Sequence, residues 1–167
     1  MNFKNSEQIY VIAEIGVNHN GSFDLAKKMI DAAKQSGANA VKFQTFKADN
    51  LVTKITPKVK YQEETTSKDE DHFEMIKKLE LNKSDFLRIF NYCNRIGLDF
   101  ISTPYDVESA KFLNEMGVSI FKVASADIVD YSLNEYLAAT KKPVIIATGM
   151  TSLGEIESAV NIYRKNK

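Results

Sequence analysis

The sequence predicts an α/β fold: a parallel sheet with its helices outside. Five short β-branched or aromatic runs recur along the chain, at Tyr10–Gly16, Ala40–Thr45, Asp99–Pro104, Ile120–Ser125 and Pro143–Met150. Each is followed by a helical pattern, and strands that alternate with helices join into a parallel sheet. The recurring series of glycine, short gap and apolar run at Gly37, Gly97 and Gly117 marks a helix end that feeds a strand. Each run also closes on charged, amide or hydroxyl residues. In folds of this kind function gathers at the carboxyl ends of the strands.

The elements follow in order. After the first strand, Asn18, His19, Asn20 and Gly21 form a turn: Gly21 permits unusual backbone angles and Asn20 tolerates a left-handed one. The first helix spans Ser22 to Ser36, with Leu25, Ala26, Met29, Ile30 and Ala33 at helical spacing, Ser22 as its cap and Gly37 at its end. On the second strand Lys42 and Gln44 share one face, Val41 and Phe43 the other. Phe46–Glu80 then breaks the rhythm. It is rich in Lys, Thr, Glu and Asp and offers one short helical stretch around Phe73–Leu79. So long a connection reads as a lid or substrate loop, with a disordered insertion as the alternative. Ser84–Ile96 is a regular helix with Phe86, Ile89, Phe90 and Cys93 on one face. Val107–Met116 is entered from Asp106 and closed by Gly117, and Tyr131–Thr140 is weaker. The last helix begins at Ser152, with Glu155 at capping-box spacing, and turns Ile156, Ala159, Val160 and Tyr163 inward. Five βα units leave two architectures open. A closed barrel needs eight units and about 250 residues, whereas an open doubly wound sheet can stop at five. Length favours the open sheet; the placement of polar residues favours the barrel.

Composition bounds the function classes. At 167 residues, 44% hydrophobic and 26% charged, the chain has the makings of one domain with a real core. Lys plus Arg (22) balances Asp plus Glu (22), so no global charge calls for nucleic acid or a membrane surface. A local anion pocket is compatible with that balance. The lone Cys93 reads as a small core residue; no internal disulfide can form, which fits a reducing cytoplasm. No run approaches 18 apolar residues, and no signal-type stretch follows the amino terminus, so neither a membrane span nor a leader is expected.

The chemistry-bearing residues sit at the strand ends. Glu14 shares a face of the first strand with Ile12 and Gly16, and Lys122 on the fourth strand repeats the theme of Lys42. A lysine turned into an interior needs an anionic partner or a ligand. Two such lysines suggest a phosphate or carboxylate ligand, and a Glu14–Lys42 ion pair without substrate is the structural alternative. The hydroxyls of Thr103, Ser125 and Thr148 can complete an anion cradle. His19 reads as a ligand or base, or equally as a turn histidine bonded to its own loop. His72 reads as a solvated helix-start residue. No zinc, EF-hand, P-loop, GxGxxG or GxSxG pattern occurs.

Taken together, AEIGVNHNG (Ala13–Gly21), AVKFQTFKADNLVT (Ala40–Thr53), FEMIKKLEL (Phe73–Leu81), ISTPYD (Ile101–Asp106), FKVASADI (Phe121–Ile128) and ATGM (Ala147–Met150) resemble, in order and spacing, the N-acetylneuraminate (sialic acid) synthase family, which includes legionaminate and pseudaminate synthases. The match runs from Tyr10 through nearly the whole chain. The Ser125–Ile128 stretch with the following Tyr131 looks more like neuraminate and legionaminate members than pseudaminate ones. The resemblance implies a TIM barrel, here its N-terminal five units, followed in the family by further barrel units and a small antifreeze-like domain. It implies condensation of phosphoenolpyruvate with an N-acylated amino sugar, N-acetylmannosamine or a relative. The product would be a nine-carbon 2-keto acid, with phosphate released. A divalent metal, Mn2+ or Mg2+, would serve as Lewis acid. Its two histidine ligands are expected beyond residue 167, so no metal ligand is assigned within the chain. Carried over by motif, Lys42, Thr103, Lys122 and Ser125 would hold phosphoenolpyruvate, Gln44 and Asp127 would bind the sugar, and Glu14 would act as base or orienting group.

Ala147 stands where many members have Ser, and Thr148 would replace that contact. The family also implies a homodimer in the full-length enzyme and no activity in residues 1–167 alone. Two rival readings are a Schiff-base aldolase-like barrel using Lys42 or Lys122, and a non-catalytic anion-binding remnant.

Overall fold

The computed structural model of the chain describes residues 9–53 and 71–166. Five strands form one parallel sheet: β1 (Ile12–Gly16), β2 (Ala40–Thr45), β3 (Asp99–Pro104), β4 (Phe121–Val123) and β5 (Val144–Ile146). Their order is sequential, β1-β2-β3-β4-β5. This order decides between the two architectures. A doubly wound sheet reverses its strand order at a switch point; here each strand adds to the same side of the last. With right-handed crossovers, that places the connecting helices on a single face and leaves the other face as a barrel interior.

The helices between and after the strands are α1 (Phe23–Gln35), α2 (Ala48–Leu51), α3 (His72–Lys78), α4 (Lys83–Arg95), α5 (Val107–Met116), α6 (Tyr131–Ala139) and α7 (Leu153–Lys165). All but α2 are capped by side chains at their starts: Ser22, Asp71, Asn82, Asp106, Asp130 and Ser152 each accept a backbone N–H of the first turn, and Ser152 with Glu155 completes a capping box. The helix-end glycines read from sequence work by one mechanism. After α1, α4 and α5 the residue beyond the glycine (Ala38, Leu98, Val118) donates its N–H back five residues into the helix, and Gly37, Gly97 and Gly117 take the left-handed angles this bond needs.

The sheet separates two cores. Val41, Phe43, Phe100, Phe121 and Val123 face outward onto Ala26, Ile30, Ile89, Cys93, Leu113, Leu133 and Leu137 of the helices, and this layer is the main core. Ala40, Ile101 and Ile120, flanked by Ile12 and Ile145, form a smaller apolar floor on the interior face. Cys93 is fully buried, and burial pushes its thiol up to about 12.

The strands expected at 10–16, 120–125 and 143–150 are shorter in the fold. Pairing begins at Ile12 in β1, stops at Val123 in β4 and stops at Ile146 in β5. Past Val123 the chain leaves the ladder into a 3-10 turn at Ser125–Asp127. Of the long polar connection, residues 46–53 and 71–80 are described and carry α2 and α3; the lid reading of its middle lies outside the described residues.

Candidate functional site

The interior face above the apolar floor carries the polar residues. β1 and β2 pair with Glu14 opposite Lys42 and then Gly16 opposite Phe43, so one residue of β1 is left over as a bulge. Gly16 takes φ +58° there, and a Cβ on it would lie 3.4 Å from Glu14 Oε1 and 3.6 Å from Gln44 Nε2. The bulge therefore brings the Glu14 carboxylate and the Gln44 amide to one spot. The same register sets Gln44 beside Thr103 on β3. β3 pairs Ser102 with Phe121, which puts Thr103 next to Lys122 on β4.

Lys42 Nζ lies 2.6 Å from Glu14 Oε2 and donates to Thr103 Oγ1 at 3.3 Å. The ion pair anticipated from the sequence is thus present. It is lopsided: the Lys42 side chain is 14% exposed and that of Glu14 51%. Lys122 is different. Its ammonium is half-buried and donates to the Val123 carbonyl at 2.6 Å. Burial lowers its pKa and the nearby Lys42 charge lowers it further, while Glu14 and Asp127 pull the other way. Asp127, in the 3-10 turn beyond β4, is pushed up to about 6 by burial and by the like charge of Asp130, against the opposing pull of Lys122. Its Oδ2 is enclosed and, among the described residues, has no hydrogen-bond partner. Lys122 thus feels the charges of Lys42, Glu14 and Asp127 across the strand ends.

Ser125 is half-buried at the start of the same turn, and a Cβ on Gly149 of the β5 loop would lie 4.0 Å from its Oγ. Thr148 is exposed at the rim, where its carbonyl accepts the Thr151 hydroxyl. The structure therefore gathers Glu14, Lys42, Gln44, Thr103, Lys122 and Asp127 on one face, sets Ser125 at its edge beside the β5 loop, and leaves Thr148 outermost.

The two histidines stand away from this face. His19 is fully buried; its Nδ1 accepts the Gly21 N–H at 3.1 Å and its ring stacks on Phe43. Burial lowers its pKa, with the Gly16 carbonyl opposing. Of its two sequence readings, the turn histidine is the one the geometry matches. His72 is the first residue of α3, but it is half-buried with an enclosed Nδ1, so the solvated reading is corrected: α3 folds back onto the body of the domain and takes the ring with it.

That folding back depends on Glu80, whose role has no signature in the sequence. Its carboxylate accepts the Ala48 N–H at 2.5 Å and meets Lys47 and Lys77, each at 3.2 Å. Burial raises its pKa, but the Ala48 N–H and the two lysines outweigh that and hold the carboxyl below its usual value. The return path also presses on the first loop. A Cβ on Gly21 would come within 2.5 Å of the Lys78 carbonyl oxygen, so only glycine fits there.

Among the described residues, no group of three or more His, Cys, Asp or Glu side chains comes together to hold a metal ion. The Glu14 carboxylate is engaged by Lys42. The residues present do not by themselves fit a divalent cation. No helix among them is long and apolar enough to cross a membrane.

Residues 29–167 match the model of the NeuB family. The chain is 44% identical over 156 residues to the N,N'-diacetyllegionaminic acid synthase of Campylobacter jejuni, covering 93% of this chain and 47% of that protein. It is 43% identical to the synthase of the same name from Legionella pneumophila, covering 93% and 44%. Among solved structures, the N-acetylneuraminic acid (sialic acid) synthetase of Leptospira borgpetersenii, in complex with citrate, superposes with a TM-score of 0.80 at 34% identity, covering 96% of this chain and 51% of that one. The chain spans about half the length of the curated relatives it matches.

Proposed function

Because the chain belongs to the NeuB family, we propose that its protein condenses phosphoenolpyruvate with an N-acylated amino sugar. The enol carbon bonds to the sugar aldehyde, water adds at C2, and the C–O bond to phosphate breaks. The product is a nine-carbon 2-keto acid, N-acetylneuraminate or legionaminate. The legionaminate type is favoured, since relatives with that name reach 44% and 43% identity while a pseudaminic acid synthase from Helicobacter pylori reaches 28%.

The single observation that carries this reading is Lys122. A half-buried ammonium, repelled by Lys42 and held by a carbonyl rather than a carboxylate, stands on the interior face at a strand's carboxyl end. Such a group is stabilised by an incoming anion. Lys42 and Lys122 would flank the phosphate and carboxylate of phosphoenolpyruvate, with Thr103 and Ser125 donating hydroxyls. Gln44 and Asp127 would bind the sugar, and Thr148 would meet substrate from the rim. Glu14, half exposed beside the aldehyde's expected place, would orient it or carry a proton. A divalent metal in the full-length protein would polarise the aldehyde, held by ligands outside the described residues. A homodimer in the cytoplasm is the state this reading assigns to the full-length protein; residues 1–167 alone should lack activity.

The lowered pKa of Lys122 also suits an imine-forming amine, so a Schiff-base aldolase is the second reading. Two assays on the natural full-length protein separate them. The synthase reading expects phosphate release that requires both phosphoenolpyruvate and amino sugar, and no covalent adduct after borohydride treatment with pyruvate. A trapped adduct on Lys42 or Lys122 would replace it with the aldolase reading.

A further inference from the structure

The turn that carries Asp127 is held from behind by two residues of the outer helices. Asn134 of α6 is fully buried. The two N–H groups of its side-chain amide are shared among the carbonyls of Asp127 at 3.0 Å, Ile128 at 3.2 Å and Asp130 at 2.7 Å. Its Oδ1 accepts the hydroxyl of Tyr163, on α7, at 2.8 Å. Carbonyls on one side and a hydroxyl donor on the other leave the amide only one orientation, and every polar atom of the buried side chain is used. The turn has its own bonds, from Asp127 N to the Ala124 carbonyl and from Asp130 N to the Asp127 carbonyl, each at 3.0 Å. What it lacks is an anchor on the Asp127 side chain itself, whose enclosed Oδ2 bonds to nothing among the described residues. The position of that carboxyl is therefore set by where the backbone of the turn is pinned.

We propose that Asn134 and Tyr163 are a positioning pair for the sugar-binding turn: through the three carbonyls they fix the placement of the Asp127 carboxyl against Lys122. A carboxyl placed by its own hydrogen bonds would tolerate a loose backbone, and this one cannot. Apolar packing alone would favour Leu at position 134, between Leu133 and Leu137 on a buried helix face. A buried amide there makes sense if the carbonyls of the turn must be held in one arrangement. The charged groups that act on Asp127 are Lys122 from β4 and Asp130 at the other end of the turn; Asp130 travels with the turn, so a shift of the turn acts chiefly on the separation from Lys122. The part of this inference that concerns sugar rests on the proposed function; the pinning of the carboxyl does not.

The test uses Tyr163→Phe and Asn134→Leu in the natural full-length protein, with Asp127→Asn in parallel. The Asp127 carboxyl is followed by carbon NMR against pH, its signal assigned by its loss in Asp127→Asn. In Tyr163→Phe the midpoint should move by about half a pH unit or more toward the ordinary aspartate value, because a looser turn opens the buried carboxyl to water. The KM for the amino sugar should rise ~5-fold, with the KM for phosphoenolpyruvate within about twofold. Asn134→Leu should show the larger change in both. If Asn134→Leu fails to fold, Tyr163→Phe decides, since it keeps the ring and removes one oxygen. Variants that melt at lower temperature but keep the wild-type Asp127 midpoint would overturn the positioning role and leave a merely structural one. If Asp127→Asn itself leaves the sugar KM unchanged, the proposed sugar site fails, while the NMR midpoint still decides the pinning.

Discussion

Lys122→Met should weaken phosphoenolpyruvate binding and leave the fold as stable or slightly more so. The two effects have opposite signs because of where the ammonium sits. Its half-buried position lowers its pKa, which means that folding disfavours the charged form. That cost is present below the folded pKa and fades as pH rises toward the unfolded value of 10.5. Met keeps an apolar stem on the interior face, beside Ile145 of β5, and removes the charge, so stability at pH 7 should change by about 0–1 kcal/mol in the favourable direction. Binding loses a charge-assisted contact of about 1.5–3 kcal/mol, or roughly a 10- to 150-fold rise in Kd. Lys42 cannot make up the loss, because its charge is already shared with Glu14 at 2.6 Å. Isothermal titration of the natural full-length protein with phosphoenolpyruvate gives the first quantity and urea melts give the second. A variant that binds phosphoenolpyruvate as wild type but is destabilised by more than about 1 kcal/mol would make Lys122 a structural lysine and remove the main support for the anion site.

Three further outcomes follow from single residues. Asp127, raised from 3.8 to about 6, costs stability when ionised: the cost is absent below about pH 4, grows through that window and is complete above it. Asp127→Asn should therefore stabilise the protein by ~1–2 kcal/mol at pH 7.5 and not at pH 4, after allowance for partial exposure; urea melts at the two values check it. Gly16→Ala forces φ +58° on a residue with a Cβ and sets that Cβ in van der Waals contact with Glu14 and Gln44; it should cost about 1–2 kcal/mol and lower turnover more than Gly37→Ala, whose Cβ meets open space. Cys93, fully buried with its thiol pushed up to about 12, should resist a thiol reagent under native conditions and react only as fast as the protein unfolds; rapid native labelling would contradict the packing around α4.

The legible parts of this protein were those written in local pattern. β2 and β3 match their sequence runs end to end because alternation and flanking breakers coincide with the hydrogen-bonded register. The helix starts at Ser22, Asp106 and Ser152 and the glycine ends were legible for the same reason, since each bond spans a few residues. The ends of β4 and β5 were not. The sequence runs on through Ala124 and Ser125 past Val123, and through Ala147 and Thr148 past Ile146, with no breaker at the strand end, but pairing depends on a neighbouring strand that stops elsewhere. The motifs likewise pointed to Glu14, Lys42, Thr103, Lys122 and Asp127, yet the inward parity is even on β1, β2 and β4 and odd on β3, and only the pairing of Ser102 with Phe121 sets Thr103 beside Lys122.

The sequence by itself determined the alternation of strands and helices, the identity of the family and the residue types at the strand ends. These depend on backbone periodicity, short-range hydrogen bonds and the chemistry of single side chains. Tertiary structure decided the sequential strand order that makes the sheet part of a barrel, the bulge that sets Glu14 beside Gln44, and the pinning of the Asp127 turn by Asn134 and by Tyr163 twenty-nine residues further along. Each of these is a contact between segments far apart in the chain, fixed by which faces pack together. One residue of register reverses such a face, and no local pattern records it.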